Sequence, residues 1–555
     1  MPVYKRYRYL SRYKEIANIL FKYGLGYIVD ILGLKGLLSY RNILFNSKTQ
    51  EPPATLARRI RGALEELGPT FIKFGQVLST RSDIISSEIA SELEKLQDNV
   101  PPFPFTEAKE QIERELGGSI YDFFYEIDEQ PLAAASIGQV HRAVLKNGKE
   151  VVVKVQRPNI EEIIERDLEV LFNIARVFER RTEIGKVYSL EDIVEEFARA
   201  VRDEMDYSRE GRNAEKLKHN FSDINFVYIP EVYWEFTTKR VLTMELIEGI
   251  KVSNISELKK AGHDTEYIAR KLAEIFLKQV LIDGFFHGDP HPGNVFIMDT
   301  GQIALIDFGV VGRIDEKLKY KFIDLILNIT RKDIDSITLN LLQIGIIKKK
   351  VNYDDLKRDI NNLYNRYYEI PLADISIGKC LEEVMVLAHK YNVVFPSDLT
   401  LLTKATITLE GIIKKLSAEI SLIEIAEPFT KELLKEKLSI KHIKKETLEK
   451  ISKLNFFLNT LPIQVYSILD KIESGNIKID LQHTNLDELG SKLDIISNRL
   501  SFSIIVAGII IGSSLISFAT KKPLLWGIPI AELGFTIAGI MGFWLLISII
   551  RSGRF

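Results

Sequence analysis

The sequence predicts an α+β protein of two lobes, with extra helices in front and a pair of apolar helices behind. Three observations carry this. A β-hairpin signal lies at Val140–Val155, where Asn147-Gly148 separates two β-rich runs, and Asn-Gly suits a type I′ turn. From about Ile268 to about residue 470 the apolar residues recur mostly with helical period. Near the C-terminal end, Ser501–Ala519 has no charge and Leu524–Ile550 has one, Glu532. About twenty apolar residues span a bilayer, so the last segment reads as a transmembrane helical hairpin.

Composition sets the outer limits. The chain has 555 residues, 46% hydrophobic and 27% charged, which excludes a mostly disordered, collagen-like or polytopic membrane protein. Length alone suggests roughly three to four domains. Lys+Arg number 74 against 76 Asp+Glu, so no basic excess points to nucleic acid. The single cysteine, Cys380, excludes an intramolecular disulfide framework and a cysteine-rich zinc site. Eight histidines without local pairing leave little for a histidine-based metal centre.

Each element follows in order. Residues 1–14 carry Lys5, Arg6, Arg8, Arg12 and Lys14 among tyrosines, without the apolar run of a secretory signal. They read as a solvated helix face or as a contact with an anionic membrane surface. Ile16–Leu38 reads as amphipathic helix, because Lys22, Asp30, Lys35 and four glycines interrupt it. A helix from about Ala54 ends at Gly68-Pro69, a second runs from Thr70 to about Thr80, and a third covers Ile84–Gln97 before Pro101-Pro102. From about Gln130 the pattern turns to short β-rich runs, of which Val241–Leu246 is another. Lys431–Lys450 holds seven lysines and four glutamates and reads as a solvated helix face, or one turned to lipid. In the terminal hairpin, Gly508 and Gly512, with Gly534, Ala538 and Gly542, would let two helices approach closely. Lys492, Arg499, Arg551 and Arg554 flank one side, and Lys521 and Lys522 the other. The positive-inside rule then puts the soluble body in the cytoplasm.

The chemistry concentrates in His287-Gly288-Asp289-Pro290-His291-Pro292-Gly293-Asn294, followed by Asp307-Phe308-Gly309. Between them, Val295–Met298, Asp299-Thr300-Gly301 and Gln302–Ile306 read as strand, turn, strand. A turn centred on Thr300-Gly301 places Asn294 opposite Asp307, with Cβ atoms about 4.5–5.5 Å apart. An amide oxygen and a carboxylate then converge as hard oxygen ligands do around Mg²⁺. Asp289, five residues before Asn294, can face the same ion and substrate. This is similar to a kinase catalytic loop and metal-binding aspartate, with His-Gly-Asp where most kinases have His-Arg-Asp. Lys154, in Val152-Val153-Lys154-Val155, matches the strand lysine that pairs nucleotide phosphates. Met244–Gly249 sits where a hinge would, so its backbone is expected to meet an adenine edge.

The whole chain resembles the UbiB (aarF/ADCK) family of atypical kinases, tied to ubiquinone synthesis. The motifs are Lys73-Phe74-Gly75-Gln76 with Ser79 and Arg81, Ala133-Ala134-Ala135-Ser136, Glu204-Met205-Asp206, His287–Asn294 and Asp307–Gly309. The resemblance implies a bilobal protein-kinase-like fold. It divides the chain into an N-terminal amphipathic segment (1–50), a helical extension (51–120), an N-lobe (121–249), a helical C-lobe (250–430), a helical linker (431–500) and two transmembrane helices (501–550). It implies ATP and Mg²⁺ as cofactors, Asp289 as proton acceptor, Lys154 on phosphates, and Asn294 and Asp307 on metal. Glu210, in Arg209-Glu210-Gly211-Arg212-Asn213, is the choice for positioning Lys154, with Glu204 its rival. Nucleotide contacts are expected along Leu132, Ala133, Ala134, Ala135, Ser136, Ile137, Gly138, Gln139 and Val140, and at Lys154, Glu245 and Ile247. The resemblance implies that Lys73 and Gln76 form a regulatory finger over the cleft, with Glu204 and Asp206 as anionic partners expected for Lys73.

Two features set the chain apart from an ordinary protein kinase. Alanines stand where kinases have glycines, and a Cβ resists the φ > 0 geometry that aims N–H groups at phosphate. The resemblance implies that the Lys73 segment lies over the cleft, where a protein substrate would dock. The implied partners are membrane lipid and quinone precursors or quinone-pathway enzymes, with a homodimer left open. The implied place is the inner (cytoplasmic) membrane. ATPase, protein kinase and nucleotide-gated scaffold remain the alternatives.

Overall fold

The computed structural model describes residues 3–34, 55–79, 85–96, 101–182, 189–347, 351–368, 370–371, 375–437, 439, 486–519, 524–525 and 528–551. Arg81, Lys521, Lys522, Arg554 and the expected helix beyond residue 440 lie outside them. Two compact units divide the chain at Lys445.

In the first unit, a sheet of five strands runs in the order β1 (Phe124–Ile127), β3 (Gly138–Leu145), β4 (Glu150–Gln156), β6 (Val241–Glu245), with β2 (Ala133–Ala134) beside β3. All its pairings are antiparallel. The β3–β4 hairpin forms as the sequence predicts, but its turn is one residue longer. Val144 pairs with Glu150, Leu145 N donates to Lys149 O, and only Gly148 is left-handed, at φ 82°. A three-residue loop closed by a left-handed glycine therefore replaces the type I′ turn. One face of the sheet buries Ala143, Leu145, Val151, Val153 and Val155 with Ile112, Ile120 and Phe124. The other face carries Val152, Leu242 and Met244 against Tyr207.

Three helices between β4 and β6 were not expected: α5 (Ile160–Arg181), α6 (Leu190–Glu204) and α7 (Tyr207–Asn220). Their signals are in the sequence. Ile160, Ile164, Leu168, Leu171 and Ala175 are buried at helical spacing, Ser189 caps α6 and Asp206 caps α7. The N-terminal helices α1 (Val3–Lys22), α2 (Leu56–Leu67), α3 (Pro69–Ser79) and α4 (Ser87–Leu93) precede them. The expected helix over Ile16–Leu38 is broken by Gly24, at φ 69°. Ile16, Leu67 and Phe71 pack with Ile164, Leu168 and Phe197 in one core.

The helical half centres on α8 (Thr265–Leu277) and α9 (Ser397–Leu416). Leu272, Phe276, Phe286, Leu305, Phe308 and Leu409 share its core. A small sheet, in the order β5 (Val227–Tyr228), β10 (Ile303–Leu305), β9 (Val295–Ile297), β7 (Ile250–Lys251), and a ribbon of β8 (Phe285–His287) with β11 (Val311–Arg313) lie on this half. They place the two chemical motifs side by side.

The second unit holds two apolar helices, α10 (Leu486–Ala519) and α11 (Ile530–Arg551). They run antiparallel, with Phe502 5.6 Å from Trp544 and Gly534 against Ser513. A Cβ on Gly534 would overlap the Ser513 hydroxyl, which would have to rotate away, so a small residue suits this close approach. The expected close-approach faces at Gly508, Gly512 and Gly542 instead meet open space. Among the described residues one helix, Ile496–Phe518, is long and apolar enough to cross a membrane; Ala531–Ile547 is shorter.

Candidate functional site

Lys154 and Val140 are cross-strand partners, so both side chains leave the sheet on the face turned to α7. There the Lys154 ammonium meets both Glu210 carboxylate oxygens, at 2.8 and 3.0 Å. Glu210 lies in the first turn of α7 and is buried. The geometry thus pairs Lys154 with Glu210 and not with Glu204. The same ammonium lies 3.8 Å from Asp307 Oδ1 and 5.2 Å from the Tyr207 ring. Burial alone would lower the Lys154 pKa, but Asp307 and Glu210 outweigh it and raise it. Lys154 in turn holds the Asp307 carboxyl below the usual aspartate value. Burial pushes Glu210 upward against the pull of Lys154.

The aspartate of Asp307-Phe308-Gly309 is held by local geometry. Asp307 takes φ 61°, and its Oδ1 accepts from Gly309 N at 3.3 Å. Phe308 is fully buried, and Asn213 Nδ2, one turn beyond Glu210 on α7, donates to Phe308 O at 3.0 Å. Sequence reasoning gave Asn213 no role; its i+3 spacing from Glu210 was the available signal.

Asn294 does not stand opposite Asp307. The pairs Ile303–Ile297 and Leu305–Val295 put Asn294 opposite Ile306, whose N–H donates to Asn294 O at 3.0 Å. The cause is again a three-residue loop, with Gly301 at φ 80° and Met298 N bonded to Gln302 O. Asn294 Nδ2 donates to Asp289 O at 3.2 Å, which ties the amide expected on metal to the loop expected to be catalytic.

His287 braces that loop. Its Nδ1 accepts from Asp289 N at 3.1 Å, which places the ring proton on Nε2, 3.1 Å from Ile306 O. The His287 N–H donates to the buried Gln279 on a π-helical turn, Lys278–Asp283. Gly288 packs where most kinases carry arginine. A Cβ there would lie 2.8 Å from Leu401 Cδ2 and 2.9 Å from Val310 Cγ1. Gly288→Arg should therefore lower stability by about 1–3 kcal/mol, read as a lower unfolding midpoint, rather than restore ordinary kinase geometry.

Among the described contacts, the residues expected to be regulatory do not form one cluster. Lys73 Nζ lies 2.7 Å from Glu204. Gln76 Nε2 donates to Leu96 O at 3.0 Å. Gly75 between them faces Leu96 and Leu64 so closely that a Cβ would overlap both. Asp206 accepts from Ser208 N and Oγ at the start of α7, so its nearest role is a helix cap.

The alanine loop keeps φ negative throughout, as alanine favours. Leu132 and Ala133 are exposed, Ala134, Ala135 and Val140 are half-buried, and Ser136–Gln139 are buried. Ile137 packs into the core of the N-terminal helices. Gln139 accepts from Phe103 N at 3.1 Å and touches His141, so its side chain serves packing. In the hinge, Glu245 accepts from Tyr228 OH, and Leu246 N donates to Glu150 O. Ile247 is half-buried.

A strand lysine on a helix glutamate, beside the aspartate of Asp-Phe-Gly and a braced His-x-Asp loop, defines an atypical kinase-like protein. An ABC1 atypical kinase-like domain matches residues 95–341, a UbiB helical domain 360–421, and an ABC1/UbiB kinase-like C-terminal domain 484–551. A Clostridium pasteurianum protein, described by its place in the hydrogenase 1 5′ region, is 37% identical over 98% of this chain and 99% of its own. The "probable protein kinase UbiB" of Marinobacter nauticus is 37% identical over 70% of this chain and 72% of its own. A solved structure from Mycobacterium tuberculosis, titled as a complex of Rv3197 with erythromycin, aligns at TM-score 0.46 and 23% identity, over 66% of this chain and 93% of that one. The chain belongs to the ABC1/UbiB atypical kinase-like family.

Proposed function

We propose that the protein is a membrane-anchored atypical kinase or ATPase that binds Mg-ATP and supports isoprenoid quinone synthesis. The observation that carries this is Lys154 held 2.8 Å from Glu210 and 3.8 Å from Asp307. Glu210 orients the ammonium toward phosphates, the Glu245 carbonyl and Ile247 amide are offered to adenine, and Asp289 accepts the proton of the attacking hydroxyl or water. The donor chemistry suits Mg²⁺: Asn294, whose Nδ2 is engaged by Asp289 O, has an amide oxygen to offer as a hard ligand, and the Asp307 side chain is 52% exposed. Mg²⁺, when bound, neutralises charge on the phosphates.

The pinned alanine loop and the Lys73–Glu204 contact favour water or a small substrate over a protein as acceptor. The quinone assignment follows the UbiB names and the family resemblance. The test is ATP turnover by the full chain, with and without vesicles and a phenolic quinone-precursor analogue. Released phosphate supports ATPase, labelled protein means a protein kinase, and binding without turnover means a scaffold.

We assign the membrane anchor to α10 and α11 together, in the inner membrane, with the kinase-like body in the cytoplasm. A chain ending at Lys445, the boundary of the first unit, should stay soluble and bind Mg-ADP. The full chain should resist carbonate extraction. Carbonate-resistant membrane association of the shortened chain would move the anchor to another segment, with the basic α1 first in line.

A further inference from the structure

We propose that Tyr207 donates its hydroxyl to a phosphate of the bound nucleotide, replacing part of what main-chain N–H groups do in a glycine-rich loop. This rests on the nucleotide site proposed above. Tyr207 is 2% exposed, and its hydroxyl is buried without a hydrogen-bond partner. The hydroxyl of Ser136, 0% exposed at the tip of the alanine loop, is in the same condition. Buried hydroxyls are nearly always paired, because an unpaired one is costly. Two beside one loop point to a group that arrives with the ligand.

Position identifies the group. Val140 pairs with Lys154, so Gly138, two residues earlier, faces the same side of the sheet as the Lys154 ammonium. A Cβ on Gly138 would overlap the Tyr207 hydroxyl and Val155 O. The hydroxyl therefore lies under the base of the loop, on the side from which Lys154 reaches phosphate. The loop itself has little to give. Its residues stay at negative φ, and Ala135 N is already bonded to Gly138 O at 2.8 Å. A side-chain donor supplies what the alanine backbone does not. Tyr207 also lies three residues before Glu210 on α7, and its ring carries Lys154 at 5.2 Å. One helix turn would then hold both the lysine and the phosphate.

The experiment compares Tyr207→Phe with the unaltered full chain in detergent, measuring affinity for Mg-ADP and for adenosine, and the ligand-free melting temperature. Phenylalanine keeps the ring under Lys154 and removes only the hydroxyl. The expected result is a loss of Mg-ADP affinity of about tenfold or more, unchanged adenosine affinity, and a melting temperature no lower than that of the unaltered chain. Unchanged Mg-ADP affinity overturns the assignment and leaves the hydroxyl to a structural water. An equal loss for adenosine overturns it as well, since that marks general loosening of the site. Failure of the unaltered chain to bind Mg-ADP overturns the nucleotide reading itself, and this one with it.

Discussion

Asp289→Asn should bind Mg-ADP as the unaltered chain does and turn ATP over about a hundred- to ten-thousandfold more slowly. The substitution keeps the shape of the side chain and removes the proposed proton acceptor. The loop around it should not move, because its bonds run through the backbone. His287 Nδ1 accepts from Asp289 N, and Asn294 Nδ2 and His291 N both donate to Asp289 O. Asp307→Asn should do the reverse and weaken Mg-dependent nucleotide binding first. It removes the negative charge at the proposed metal position, and with it a carboxylate 3.8 Å from the Lys154 ammonium. Isothermal titration with Mg-ADP, beside phosphate release from ATP, separates the two. Comparable losses of affinity in both variants would overturn the division of roles.

What the sequence made legible was chemistry written in short motifs. Lys154, Glu210 and Asp307 lie far apart in the chain, and their motifs marked them as one site; residue type could not separate Glu210 from Glu204, and the geometry pairs Lys154 with Glu210. The turns were harder. Both hairpins were centred on the residue pair ending in glycine, and both close one residue longer, with Gly148 and Gly301 left-handed. A single residue of loop length shifts a register by one, which moved Asn294 from Asp307 to Ile306. Helices α5 to α7 escaped because the β-rich runs on both sides set the expectation. Their own evidence is a helical spacing that only a core of tertiary partners makes decisive. The alanine loop was read as a nucleotide contact along its length, yet Ile137 and Gln139 turn their side chains into packing. A motif marks a position in the chain; which of its side chains face the ligand depends on strand register. The same limit applied to Gly508 and Gly512, whose spacing allows close packing while the contact falls at Gly534.

Arg12→Met should destabilise the first unit by about 3–5 kcal/mol, because it leaves a buried carboxylate with only the longer contacts from its neighbour Arg166, at 3.4 Å. Arg12 is 7% exposed and Asp167 1%. The guanidinium grips Asp167 through two bonds, at 2.9 and 2.8 Å, donates to Leu67 O at 2.7 Å and lies 5.4 Å from the Phe71 ring. A planar fork suits that set, so Arg12→Lys should recover only part of the loss. The contact also has a place in the chain of packing that leads to the site. Leu67 ends α2, Gly68 follows at φ 97°, and Pro69 begins the helix that carries Lys73 to Glu204. Phe71, on that helix, shares a core with Ile137 of the alanine loop. Loosening α1 should therefore weaken Mg-ADP binding as well, although Arg12 touches none of the candidate site residues. The cycle of Arg12→Met, Asp167→Leu and the double variant, followed by urea unfolding, decides the energetic claim. The double variant should be more stable than Arg12→Met alone, since apolar replacements of a buried pair are often neutral. A single Arg12→Met loss below about 1 kcal/mol would mean that the pair behaves as an exposed one, and that α1 is not coupled to the helix bearing Lys73.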